Sequence, residues 1–424
     1  MPKHPKTVEL TSWKGLNNVL PPERTPADYL KQADDIDIDK SGGIRKRKGY
    51  SLKISGSFHS LWSEGNDCFA VKNGSLVRIR SDYSTTDLVT GIGDNEKIAF
   101  EKYDGAVYFT SSGHKGVIEG DDVVSFGIDS PNPKPTLSQG TGILTKGTYQ
   151  IALTYATSDG RESGAGLAQI IDVAANSGIT LTNIPSSVDS RVTTVRIYCS
   201  TPNGEVLYLI EEIPHGTTSY TIKDVHGGMT PLKSFNVYGA PNGHIIREAH
   251  GYMFIAQDNI LWYSEPFAPE WWKPHSNFMI FEERIRAVMP TEGGMWVAAD
   301  QLYYLSGRTP ANMNKKAVEP VKVVEGSDVK IIGAYIFIEN TPIGYKWLVT
   351  TDKGIFVCFN DGIALNMTEK NVVFPESDEG TAVFVQEDGI NRYMALLKEK
   401  RDSDNTAVGD LVTATIIRNG VEIP

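Results

Sequence analysis

Gly251-Tyr-Met-Phe-Ile-Ala-Gln-Asp-Asn-Ile-Leu-Trp-Tyr-Ser264 reads as an apolar strand, a polar turn at Gln257 to Asn259 and a second, aromatic strand. Alternation at period two with a short polar break is a hairpin signal, and no 3.6-residue periodicity competes with it. The same shape recurs in Asp67-Cys-Phe-Ala-Val-Lys-Asn-Gly-Ser-Leu-Val-Arg-Ile79, in residues 105–114 continuing to Val124, in residues 294–307 and in residues 346–359. A weaker copy starts at Arg392. Successive hairpins from Met253 onward are spaced roughly 40 to 50 residues apart, the length of a four-stranded propeller blade.

One gap breaks the spacing, between Phe126 and Gly239. It opens with Pro131-Asn-Pro-Lys-Pro135, which cannot continue a central strand and stiffens a linker. Six strand-like runs follow, in residues 147–156, 168–173, 178–182, 195–199, 206–211 and 219–222. That approaches the roughly seven strands of an immunoglobulin-like sandwich, and without a Cys-Trp-Cys signature the fibronectin-like variant is preferred. Residues 44–130 and 239–424 hold about two and four blades at roughly 45 to 50 residues each. The expected architecture is all-β: an extended N-terminal arm (1–43), the first blades of a six-bladed β-propeller (44–130), an inserted fibronectin-like sandwich (131–238) and the remaining blades (239–424). Pro26 to Ala33 is the best helical candidate within the arm, and a strand near Ala414 to Arg418 is expected to help close the ring.

Composition bounds the function. The 424 residues carry a net charge of −11, which argues against a protein that grips nucleic acid, because that needs a positive surface. Cys68, Cys199 and Cys358 are far apart and form neither a disulfide framework nor a zinc motif. No run approaches the roughly 18 apolar residues of a membrane span, and no apolar stretch follows the charged N-terminus as in a signal peptide. The chain is therefore expected to be made in the cytoplasm and to stay soluble.

Chemistry finds little support. Asp35, Asp37 and Asp39 match the first positions of a calcium loop, but Lys40 and Lys46 occupy the glycine and glutamate positions. Thr350, Asp352 and Gly354 partly match an Asp-box, a motif that shapes a turn. No paired carboxylates, His-Glu-x-x-His, nucleophile elbow or Walker loop stands out. The expectation is a non-enzyme with no cofactor and no metal. Two features are left as contact candidates. Arg45, Lys46, Arg47 and Lys48 form the one concentrated basic run, read as a subunit interface, and Trp271 and Trp272 are candidates for an exposed aromatic contact.

Gly15-Leu-Asn-Asn-Val-Leu-Pro-Pro22, the run from Ile36 through Gly42-Gly-Ile-Arg-Lys-Arg-Lys-Gly-Tyr50, and Leu261-Trp-Tyr-Ser-Glu-Pro266 followed by Pro269-Glu-Trp271 resemble the opening and a blade signature of bacteriophage tail proteins. Within that group the chain resembles the tail nozzle family of short-tailed phages, also called tail tubular protein B or DNA-stabilisation proteins. The resemblance implies a virion structural protein: a six-fold ring of propellers below a tail adaptor, with tail fibres or spikes as further partners. It would enclose the DNA exit channel, retaining and then conducting the genome. A receptor- or carbohydrate-binding propeller at a tail tip or cell surface stays open as the alternative, and would need an aromatic platform beside carboxylates.

Overall fold

The structure, a computed structural model, describes residues 12–39, 41–225, 230–331, 346–374, 376–387, 390–399 and 411–414. Among the described residues the chain is all-β, with six meander sheets of the kind that form propeller blades and an inserted sandwich. It divides into two compact units: Ser57–Gln257 with Leu261–Met279, and Met1–Gly56 with Asp258–Ile260 and Ile280–Pro424.

In the first of these units, blade one comprises Phe58–Glu64, Asp67–Lys72, Ser75–Ile79 and Thr85–Thr90. Blade two comprises Ala99–Tyr103, Ala106–Thr110, Lys115–Glu119 and Asp122–Val124. Blade three contains Ile245–Ala249, Tyr252–Gln257, Ile260–Glu265 and Ala268–Trp272, with Phe278–Ile280 added beside Ile260–Glu265. The alternation in the central hairpins explains how these sheets stack. Val107 and Phe109 pack with Phe69, Val71 and Leu76 of blade one, while Tyr108 between them packs with Ile246, Met253 and Ile255 of blade three. A strand with apolar residues on both faces needs a sheet on each side, which is what neighbouring blades supply.

Blades four to six belong to the other unit. The fourth comprises Ala287–Thr291, Gly294–Ala298, Leu302–Ser306 and Asn314–Glu319, and the fifth Val329–Ile331, Lys346–Thr351, Gly354–Cys358 and Ala364–Asn366. The sixth contains Ser377–Glu387, Ile390–Glu399 and Leu411–Ala414. The two-faced pattern repeats: Trp347, Val349 and Phe356 pack with blade four, and Leu348, Ile355 and Val357 with Tyr393, Ala395 and Leu397 of blade six. Asp352 and Lys353, within the Asp-box stretch, form the turn between Lys346–Thr351 and Gly354–Cys358, and the Asp352 carboxylate reaches out to accept the Lys322 amide at 2.9 Å.

The sandwich has seven strands where six were expected. Thr136–Leu144, Ser177–Thr182 and Ser219–Ile222 form one sheet; Gln169–Val173, Gly147–Thr157, Val192–Ser200 and Leu207–Pro214 form the other. Ile151, Leu153, Tyr155, Val195 and Ile197 fill the core against Ile179, Leu181 and Ile222.

One expectation for the ends changes. Pro26 to Ala33 is not helical: a 3-10 turn spans Pro22–Arg24, and Tyr29–Leu30 pairs in parallel with Gly15–Leu16. Three prolines within six residues remove amide donors, and eight residues are too few to sustain a lone helix. The arm is anchored at Asn18, whose side chain donates to Val373 O at 2.9 Å and accepts the Val373 amide at 2.8 Å. Ala414 ends the third strand of blade six, and residues 415–418 of the expected closing strand lie outside the described residues.

Candidate functional site

The basic run lies in a hairpin with the acidic run that precedes it. Ile36–Ile38 pairs antiparallel with Ile44–Lys46, so Asp37 faces Arg45 in register. Asp39 closes the turn, its Oδ1 accepting the Ser41 amide at 2.8 Å, the Ser41 hydroxyl at 2.6 Å and the Gly43 amide at 2.9 Å. Its carboxylate thus performs the task for which aspartate is favoured in turns. Arg47 donates through Nε to Asp37 at 3.5 Å. Lys46 and Lys48 are exposed, and beyond them runs a stretch without regular structure in which Leu52 is 80 % exposed and Tyr50 fully so. Nothing in the sequence marks Tyr50 and Leu52 as exposed, because a tyrosine and a leucine two apart read equally well as half of a buried strand.

The tryptophan pair is corrected. Trp271 and Trp272 lie on a strand, Ala268–Trp272, so their rings point to opposite faces. Trp272 is 2 % exposed and packs in the core between blades two and three, edge-on to Phe126, with its indole N–H on Pro269 O at 2.7 Å. Trp271 is half-buried and donates to Glu162 O of the sandwich at 2.7 Å. The pair makes no shared exposed platform. It marks the junction between blade three and the sandwich.

That junction holds a charge cluster which the sequence did not advertise. Arg161, read only as part of a polar turn, contacts Glu270 and Glu119 at 3.2 Å each and Asp159 at 3.0 Å. Burial pushes Glu270 above the usual glutamate range, although Arg161 and Arg191 both pull it down. Beside the junction a cavity of about 610 Å³ opens at the root of the sandwich. Its lining includes Lys134, Tyr155, Leu167, Val188, Asp189 and Tyr238, and neither tryptophan. This size and mixed polarity are ordinary for a small-ligand pocket.

A third cluster joins Glu96, Ser111 and His114. Glu96 accepts from the Ser111 hydroxyl, from the Gly113 amide at 3.0 Å and from His114 Nδ1 at 2.8 Å. Burial opposes its charge, but these bonds outweigh it and hold the carboxyl at about 2. Serine and histidine both converge on the carboxylate, and the Ser111 oxygen accepts backbone amides from Gly113 and His114, so the geometry locks a turn. Burial raises all three cysteine thiols, Cys199 to about 12, which leaves little thiolate for chemistry. Among the described residues no group of three or more His, Cys, Asp or Glu side chains could hold a metal, and no helix is long and apolar enough to cross a membrane.

No protein-family model matches the chain, and no curated protein matches it. Among solved structures it is similar to BBS1N in complex with ARL6DN, at 10 % identity over 88 % of this chain and 96 % of that one, with a TM-score of 0.34. It is also similar to Hsv2 of Kluyveromyces lactis, at 9 % identity over 85 % and 96 %, with a TM-score of 0.26. Scores this low carry no argument about function.

Proposed function

We propose that the chain is a structural protein of a short-tailed phage virion, a tail nozzle whose copies form a closed ring, six in number, around the DNA exit channel. One observation carries the reading: Ile44, Tyr50 and Leu52 are exposed in the same short stretch as Lys46 and Lys48, on a chain that is acidic as a whole. Scattered exposed apolar residues are ordinary, but clustered ones beside a local charge opposite to the molecule's own suit a contact with another copy. A head-to-tail contact of that kind closes into a ring when its rotation allows. Six copies at −11 would carry about −66, and an acidic wall repels DNA and lets it slide. Adaptor and fibre proteins would contact the ring above and around it, with DNA passing through unbound.

The interface is tested by Lys46→Glu and Lys48→Glu combined with Tyr50→Ser and Leu52→Ser. Arg45 and Arg47 are left in place because the Arg47–Asp37 pair lies within the hairpin. The expected outcome is a folded chain, by circular dichroism, that no longer assembles; unchanged assembly would contradict the interface. The cavity at the sandwich root favours the second reading, a receptor- or carbohydrate-binding propeller. A glycan array that lights up for the full chain and goes dark for Lys134→Ala, an exposed residue of the cavity wall, would support that reading.

A further inference from the structure

The inserted sandwich meets the sheets on both sides of the interruption through one side chain. Arg161 stands in the turn between Gly147–Thr157 and Gln169–Val173. Its Nη1 lies 3.2 Å from Glu270 on the Ala268–Trp272 strand of blade three, and its Nη2 lies 3.2 Å from Glu119 on blade two. Its Nε holds Asp159 of its own turn at 3.0 Å. The contacts around it point the same way. Trp271 donates to Glu162 O, and Arg191, held by Asp189 at 2.7 Å, donates to Ser125 O at 3.1 Å just beyond blade two. The returning chain is zipped to blade three: the Tyr238 and Trp272 amides donate to each other's carbonyls at 2.8 and 3.0 Å.

We infer that Arg161 is a latch that fixes the sandwich to both flanking blades at once, and that the ionised Glu270 carboxylate is what makes loss of the latch costly. The side chain of Glu270 is only 12 % exposed. The groups whose charges reach it are Arg161 and Asp159 from the sandwich turn, Arg191 from the loop before Val192–Ser200, and Tyr108 from blade two. Glu119 shares its arginine. Two guanidinium groups thus serve four carboxylates, those of Glu119, Asp159, Asp189 and Glu270. Removing Arg161 would strand Glu270, the most buried of its three carboxylate partners, beside other negative charge, and stripping one partner from a buried pair costs far more than the pair itself contributes.

The sign with pH follows. A carboxyl whose folded pKa lies above its unfolded value of 4.5 stabilises the fold fully below that value, and the contribution is lost as pH rises through the folded value. Loss of Arg161 raises the folded value further, so its penalty is largest at neutral pH and shrinks in mild acid. The inference rests on the junction alone and is independent of the nozzle proposal.

Hydrogen exchange of the Tyr238 and Trp272 amides in the full chain tests it, read as protection factors. At pH 7, Arg161→Met is expected to lower protection of both amides about tenfold, with the sandwich core amide of Ile197 unchanged. Glu270→Gln alone is expected to lower protection less, because Arg161 keeps Glu119 and Asp159, and the double variant to regain part of what Arg161→Met loses, as Arg161→Met itself does on going to about pH 5. Unchanged protection in Arg161→Met, or a double variant as open as the single, overturns the inference. If Arg161→Met does not fold, Arg161→Lys with and without Glu270→Gln decides it, since lysine cannot fork to two carboxylates: relief by Glu270→Gln supports the latch and no relief overturns it.

Discussion

At the scale of single residues, neighbours in sequence have divergent tasks. Trp272 is enclosed between two blades, while Trp271, on the other face of the same strand, spends its indole N–H on the sandwich. Trp272→Ala removes a large ring from a packed core and is expected to cost about 3–5 kcal/mol, whereas Trp271→Phe keeps most of the packing and loses one hydrogen bond, about 0.5–1.5 kcal/mol. Urea midpoints of the two variants check the ranking; equal losses would mean that Trp272 does not pack as described. The sequence showed that two adjacent aromatics cannot share a face of a strand, but not which face is covered. The calcium-loop match of Asp39 failed on its neighbours, and the carboxylate instead closes the turn with Ser41 and Gly43. Arg161 was not legible, because its partners Glu119 and Glu270 lie 42 and 109 residues away and only the fold brings them together.

At the scale of elements, the central hairpins of the blades were legible because both of their faces are buried, so each carries a dense apolar run with a polar turn. Outer strands such as Asn314–Glu319, with Lys315 and Lys316, are exposed and polar and leave little periodic signal. The sandwich strand Thr136–Leu144 escaped notice for a different reason. Gly140 and Gly142 dilute its pattern, yet both are required by close approach: a Cβ on Gly142 would stand 2.7 Å from the Gly178 Cα and from Lys223 O. The two legs of the insertion come together, with a Cβ on Gly127 standing 3.6 Å from the Gly239 Cα. Replacing residues 131–238 by a short glycine linker is therefore expected to leave the blades folded, with a lower midpoint because Trp271 loses its acceptor and Glu270 its arginine. Loss of a cooperative transition in circular dichroism would show instead that the blades depend on the sandwich to fold.

At the scale of the whole molecule, charge and assembly belong together. A net charge of −11 keeps single copies apart in solution, so association requires a local surface of the opposite character, and the Lys46 to Leu52 stretch has it. In the proposed ring, salt would act in two opposite ways. It would screen repulsion between acidic bodies and also weaken the attraction of the lysines, leaving Tyr50 and Leu52 to hold the proposed interface. The most direct measurement is the mass of the purified full chain by light scattering across a range of concentrations. A closed species of about six chains of 46.5 kDa is expected; a single chain of 46.5 kDa at every concentration would contradict the ring.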